Sequence, residues 1–226
     1  AQCVYYIYAW LKLPESAREK AVFAVPTGNF GNVLAGWMAW KCGMRCGGFR
    51  VATNQNDILF RLFNTGVYEV SEVMPSFAPS MDIQVASNFE RFIYFSENGD
   101  SAKVRRIMSE FSKTGKWVFE GFDPGNFSAS RMSDAEIPAK ISEVWDKHGI
   151  VIDPHTACAF KDLPDSPAVV LSTASPAKFP ELIKKTLGFE PKSDILEKLK
   201  REKIVKTSMP ADAEKIRAFI RERGIR

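Results

Sequence analysis

The chain lacks the features that would mark a membrane protein, a disulfide scaffold or a metal site. No apolar run approaches the roughly 20 residues that a bilayer-crossing helix needs, and no basic-then-apolar leader precedes a cleavage site. Cysteine is scarce, with 4 in 226 residues. Cys42 and Cys46 form a C-x3-C pair, but no second pair completes a metal site, and neither His148 nor His155 lies at ligand spacing from them. With Cys3 and Cys158 they read as reduced thiols of a cytoplasmic protein that binds no metal. The Gly-Lys-Ser/Thr that closes a P-loop is absent, and so is the G-x-G-x-x-G dinucleotide fingerprint. No repeat or low-complexity segment occurs. An initiator Met is missing too, since the chain opens with Ala1-Gln2-Cys3 inside a helical pattern. We therefore expect a cut piece of a longer reading frame.

What remains is ordinary globular material, 45% hydrophobic and 26% charged, enough to bury a core. The net charge of +4 is confined to the end of the chain. Residues 191–226 hold 11 Lys/Arg against 6 Asp/Glu, while residues 1–190 hold 20 against 21. Because the tail charges alternate in sign along helical patterns, they read as a solvated face rather than a nucleic-acid surface. We expect an α/β domain over 1–190 and a helical extension over 191–226.

Periodicity predicts the elements. Residues 1–13 are apolar nearly all round, which predicts a buried helix. Residues 21–25 predict a buried parallel strand before Pro26, residues 32–42 a helix, and residues 49–53 the next strand. Together these make a βαβ unit. Ser87 with Glu90, and Ser133 with Glu136, have capping-box spacing. The first predicts a helix to about Phe95. The second predicts a helix that buries Ile137, Ile141, Val144 and Trp145 and ends at Gly149. Val104, Ile107, Met108 and Phe111 predict a helix that Gly115 stops. A strand over 150–152, a loop over 153–155, a short helix and a strand over 168–172 follow. Ser175-Pro176 opens a helix that Gly188 closes, and residues 194–203 and 211–223 predict terminal amphipathic helices. The fold class is α/β, with a mostly parallel open sheet flanked by helices.

Four strings carry chemistry. Pro26-Thr27-Gly28-Asn29-Phe30-Gly31-Asn32 joins a strand to a helix. Such a turn aims backbone N–H groups at one spot, where the helix dipole adds positive charge. Gly28 and Gly31 allow close approach, and Asn29 and Asn32 tolerate unusual dihedrals. From the residues alone, an anion cradle and a tight structural turn are equal readings. The second string, Ser172-Thr173-Ala174-Ser175-Pro176-Ala177-Lys178-Phe179, places hydroxyls beyond a strand's carboxyl end, where open α/β sheets bind ligands. Ser175 also reads as a plain helix cap. Asp153-Pro154-His155-Thr156 follows an apolar run, and periodicity does not separate a functional His155 from a structural one. The last, Ser80-Met81-Asp82-Ile83 with Asn88-Phe89-Glu90-Arg91, fits no helical or strand face. It reads as a substrate loop or a connector.

In this order the four strings resemble the threonine synthase family. That family belongs to the fold type II, tryptophan-synthase-β-like pyridoxal-phosphate enzymes. The resemblance runs over about residues 1–220 but covers only the later half of the family's length. It implies an incomplete large domain, with the small domain and the Schiff-base lysine in a preceding half. The cofactor implied is pyridoxal 5'-phosphate. Gly28, Asn29, Phe30, Gly31 and Asn32 would hold its phosphate by backbone N–H groups, and Thr173 would hydrogen-bond its pyridine nitrogen. A hydroxyl there leaves that nitrogen mostly unprotonated. The implied reaction takes O-phosphohomoserine and water to threonine and phosphate, with Ser80, Asp82 and His155 as candidate substrate contacts and no nucleic-acid or membrane partner. The family commonly has His where this chain has Ser175, so no role passes to that position. Phe160-Lys161-Asp162 is similar to the family's Schiff-base string but follows the wrong strand, and we read it as coincidence. The alternatives are another fold type II lyase or dehydratase and a non-catalytic relative that binds a phosphorylated ligand.

Overall fold

The computed structural model describes residues 1–224, and the chain divides into two compact units, Ala1–Pro191 and Lys192–Arg226. In the first unit α1 (Cys3–Lys12) and the single turn α2 (Glu15–Arg18) lead into β1 (Val22–Pro26), α3 (Gly31–Lys41) and β2 (Gly48–Thr53). Next come α4 (Ile58–Thr65), β3 (Val67–Glu69), a 3-10 turn at Pro79–Met81, α5 (Phe89–Ser96), α6 (Ser101–Thr114), β4 (Lys116–Val118) and β5 (Phe127–Arg131). α7 (Ile137–His148), α8 (Pro154–Ala159), β6 (Ala168–Val170) and α9 (Pro180–Leu187) complete it. The second unit holds α10 (Asp194–Arg201) and α11 (Ala213–Glu222), each capped by a side chain, Ser193 or Asp212.

The fold is α/β, as expected. β5, β2, β1 and β6 form an open parallel sheet in that order, and β3 pairs antiparallel with β4 as a separate ribbon. Register places Phe127, Phe49, Phe23 and Val169 side by side on one face. Side chains alternate along a strand, so the neighbouring positions Ser128, Arg50, Ala24 and Val170 share the other face. The aromatic face carries the main core, with the Tyr6 ring 5.3 Å from Phe23 and 6.1 Å from Phe49. α3 meets it at Gly36, where an added Cβ would lie 2.4 Å from the Tyr6 ring and 2.7 Å from that of Phe49. On the opposite face α8 lies close, with Ala159 clustered against Ala24 and Ala52.

Several expectations are corrected. α1 is not buried all round: Tyr6 is inside, but Val4, Tyr5, Tyr8 and Leu11 are exposed, Tyr8 at 63%. Only one side of the helix meets the sheet, and no described residue covers the other. Ile150-Val151-Ile152 is not a strand, because no strand edge pairs with it; only Ile152 is buried. The predicted loop over 153–155 is instead the capped start of α8. The strand predicted over 168–172 is shorter, and the helix after Ser175 is a 3-10 turn followed by α9. Ser87 does not cap α5, whose N-cap is Asn88. Trp145 is half-exposed against Phe189 instead of buried.

Candidate functional site

The site grows from the carboxyl end of β1. Thr27 N–H still donates to Ala52 O of β2 at 2.8 Å, so the chain leaves the sheet under control. Phe30 then takes a left-handed φ of 64° as the N-cap of α3. That conformation costs a non-glycine residue about 1–3 kcal/mol. Its buried ring sits 5.6 Å from Phe89, 5.5 Å from Phe92 and 6.0 Å from Phe63. Losing such a ring costs about 3–5 kcal/mol, so packing outweighs the strain. Among the described residues, the six backbone N–H groups from Gly28 to Val33 have no acceptor. Unpaired N–H groups at a helix start are donors that an anion can use.

The Ser80–Arg91 segment braces this loop. Asn88 donates from its backbone N–H (3.0 Å) and from Nδ2 (3.1 Å) to Asn29 O, and Ser87 Oγ donates to Asn29 Oδ1 at 3.0 Å. Here lies the reason Ser87 is not a helix cap. Beneath Gly28 runs the Ser80–Met81 backbone, and a Cβ at Gly28 would lie 2.8 Å from Ser80 O. Asn32 is held by Tyr6, whose hydroxyl is 2.9 Å from both Asn32 O and Oδ1.

Gly28, Ser80, His155 and Thr173 line one small cavity of about 130 Å³. Four candidates far apart in sequence thus meet at the carboxyl edge of the sheet. Asn29, Phe30, Gly31 and Asn32 do not line this cavity; they lead from Gly28 into the start of α3, and the side chains of Phe30 and Asn32 are held by Phe89 and Tyr6. The Thr173 hydroxyl is exposed and has no partner among the described residues. Among the described residues no lysine or arginine lines the cavity.

Two candidates change role. Asp82 does not face the cavity. Its Oδ1 accepts from Asn54 Nδ2 (2.7 Å), Asn56 Nδ2 (2.9 Å) and Ser76 Oγ (2.5 Å), and its Oδ2 accepts from Ser76 N–H (2.9 Å). These bonds tie it to the 74–82 loop and to Asn54 and Asn56, away from the cavity lining. His155 reaches the cavity, but both ring nitrogens are taken: Nε2 by Ser80 N–H at 3.1 Å and Nδ1 by Asp153 Oδ1 at 2.9 Å. Lys161 pairs with Glu136 and does not line the cavity.

The sequence singled out the string that holds Asp153 and Thr156 but gave neither residue a role of its own. Asp153 is fully buried, caps α8 and accepts from His155 and Thr156. Burial alone would raise its pKa, but the hydrogen bonds from His155 and Thr156 hold it below the ordinary carboxylate range. The signal was present, since Asp followed by Pro is an N-cap and first-turn pair.

Known proteins resemble the chain over most of its length. The family model described as threonine synthase, C-terminal, matches residues 155–220. Threonine synthase of Pseudomonas aeruginosa is 35% identical over 242 residues, covering 100% of this chain and 50% of that protein. The crystal structure of pyridoxal-phosphate-bound threonine synthase from Brucella melitensis superposes with a TM-score of 0.84 at 37% identity, over 98% of this chain and 50% of that one. Yeast threonine synthase gives 0.79 at 32% identity, over 98% and 51%. The chain spans about half the length of the curated relatives it matches.

Proposed function

This chain belongs to the threonine synthase family, and on that premise we propose that it holds pyridoxal 5'-phosphate at the carboxyl ends of β1 and β6 and serves the conversion of O-phosphohomoserine and water to threonine and phosphate. One observation carries the reading: six consecutive N–H groups without acceptors among the described residues open α3 beside a cavity that Gly28 and Thr173 line. A phosphate dianion suits that donor set, because free N–H groups and the dipole at a helix start both favour negative charge. The Thr173 hydroxyl, which has no partner among the described residues, would meet a ring nitrogen there. When bound, the cofactor supplies an electron sink for carbanionic carbon. The chain's own groups bind and orient. The glycine loop fixes the phosphate end and Thr173 the ring end. The exposed Ser80 hydroxyl is left at the rim for the substrate.

Gly28→Val tests the reading. The larger side chain displaces the loop from Ser80 O, so pyridoxal phosphate titrated into the variant should bind roughly tenfold or more weakly, equivalent to about 1.4 kcal/mol. Equal affinity in parent and variant would overturn the assignment.

A further inference from the structure

We propose that Asp153 is the positioning residue of this crevice, a buried carboxylate whose two oxygens fix the Ser80 turn and the Thr173 end relative to one another. Two hydrogen-bonded arms leave it. In the first, Ser80 N–H donates to His155 Nε2 at 3.1 Å. A neutral imidazole carries a single N–H, so an accepting Nε2 leaves the proton on Nδ1, which donates to Asp153 Oδ1 at 2.9 Å. In the second, Thr173 N–H donates to Thr156 Oγ1 at 3.3 Å, and the Thr156 hydroxyl donates to Asp153 Oδ2. Each relay accepts from a backbone N–H on the rim and donates to the same carboxylate.

Asp153, His155 and Thr156 are all nearly or wholly buried, so water does not compete for these bonds. Both arms end on groups that matter to the cavity. The Ser80 peptide underlies Gly28, and Thr173 lines the same cavity. Asp153 touches neither a ligand nor the cavity and acts only through its relays. α8 is six residues long, Pro154–Ala159, and its first turn carries the whole device. Helix capping and rim positioning therefore share one carboxylate.

The consequence for cofactor binding rests on the function proposed above, but the hydrogen-bond geometry is testable without it. Amide exchange is to be measured residue by residue on the full chain, with no ligand. Thr156→Val keeps the shape and removes the hydroxyl. The Thr173 amide should exchange roughly tenfold faster while Ser80 stays unchanged, and Thr156→Ser should restore Thr173. His155→Phe should do the reverse, freeing Ser80 and sparing Thr173. A role confined to helix stability would speed both amides together, and that result, or no change at either, overturns the proposal. One measurement needs no variant. The side-chain nitrogen shifts of His155 in alkaline buffer should report the Nδ1–H tautomer, and the Nε2–H tautomer overturns it.

Titrations with pyridoxal phosphate and inorganic phosphate separate this proposal from the functional reading. Thr156→Val should weaken pyridoxal phosphate by roughly tenfold and leave inorganic phosphate unchanged, since the second arm reaches only the ring end. His155→Phe should weaken both. If the parent binds neither ligand, the functional reading fails while amide exchange still decides the role of Asp153. If pyridoxal phosphate binds equally to the parent and to Thr156→Val, the positioning role fails and the functional reading stands.

Discussion

On one side of the four-stranded sheet Phe49 lies between Phe23 and Phe127, with centroids 6.1 Å and 5.6 Å away, beneath Tyr6; on the other, Ala24 and Ala52 lie against Ala159. The first side buries large rings and carries most of the apolar area that stabilises the fold. The second buries little per residue, but its small side chains let α8 come close. That approach sets Asp153, His155 and Thr156 at the carboxyl edge, where the cavity opens. Phe30 joins the two roles, with its ring in the aromatic cluster and its backbone in the glycine loop. The difference teaches that stability and site geometry are separable here, and each side can be altered alone.

The largest expected effect is on the aromatic side. Phe49→Ala removes a fully buried ring that contacts Tyr6, Phe23 and Phe127, and should cost about 3–5 kcal/mol, read as a lower urea midpoint. Protein that remains folded should keep its affinity for pyridoxal phosphate. Lost affinity at full stability would break the comparison. Ala52→Leu works on the small side. The added bulk pushes against Ala159, costs about 1–3 kcal/mol and displaces α8 from the edge. Here affinity should fall together with stability. A destabilised variant with unchanged affinity would show that α8 does not set the rim.

Much of this division was legible in the sequence. The run before Pro26, the helix after the glycine loop and the stops at Gly115, Gly149 and Gly188 are local signals, and each holds in the structure. What failed was non-local. β5 (Phe127–Arg131) is an edge strand with exposed polar residues, so it shows no continuous apolar run. β3 and β4 pair across some 50 residues of sequence, which no local pattern records. Ile150-Val151-Ile152 looked like a strand because three β-branched residues favour one, but a strand also needs a neighbour. Ser87 and Asp82 show the same limit at the site. Spacing suggested a cap for Ser87 and the resemblance a substrate contact for Asp82; in the fold Ser87 bonds Asn29, and Asp82 bonds Asn54 and Asn56. Asp153 escaped because its two arms run to Ser80 and Thr173, which only the fold brings near.

The smallest expected effect falls outside both sides of the sheet, at Lys161. This lysine follows α8 and pairs with Glu136 ahead of α7. The hydrogen bond from Lys161 is the main reason the Glu136 carboxyl is held down at about 2, with Ser133 adding to it. A carboxyl whose pKa is lower in the folded chain adds stability above its unfolded pKa, near 4.5. That stability is lost as pH falls from there toward about 2. Lys161→Ala should therefore flatten the acid limb of the stability curve. Both side chains are partly exposed, at 30% and 41%, so screening by solvent and salt limits the loss near neutral pH to below about 1 kcal/mol. The same variant sharpens the reading of the site, because the string around Lys161 looks like a cofactor-anchoring lysine while the structure directs it to Glu136. Parent chain incubated with pyridoxal phosphate, reduced with borohydride and digested should show sparse label scattered over surface lysines. Binding of pyridoxal phosphate should be equal in the parent and in Lys161→Ala. Stoichiometric label on Lys161, or loss of binding in the variant, would move the reactive lysine onto α8's side of the sheet and undo the separation between stability and site.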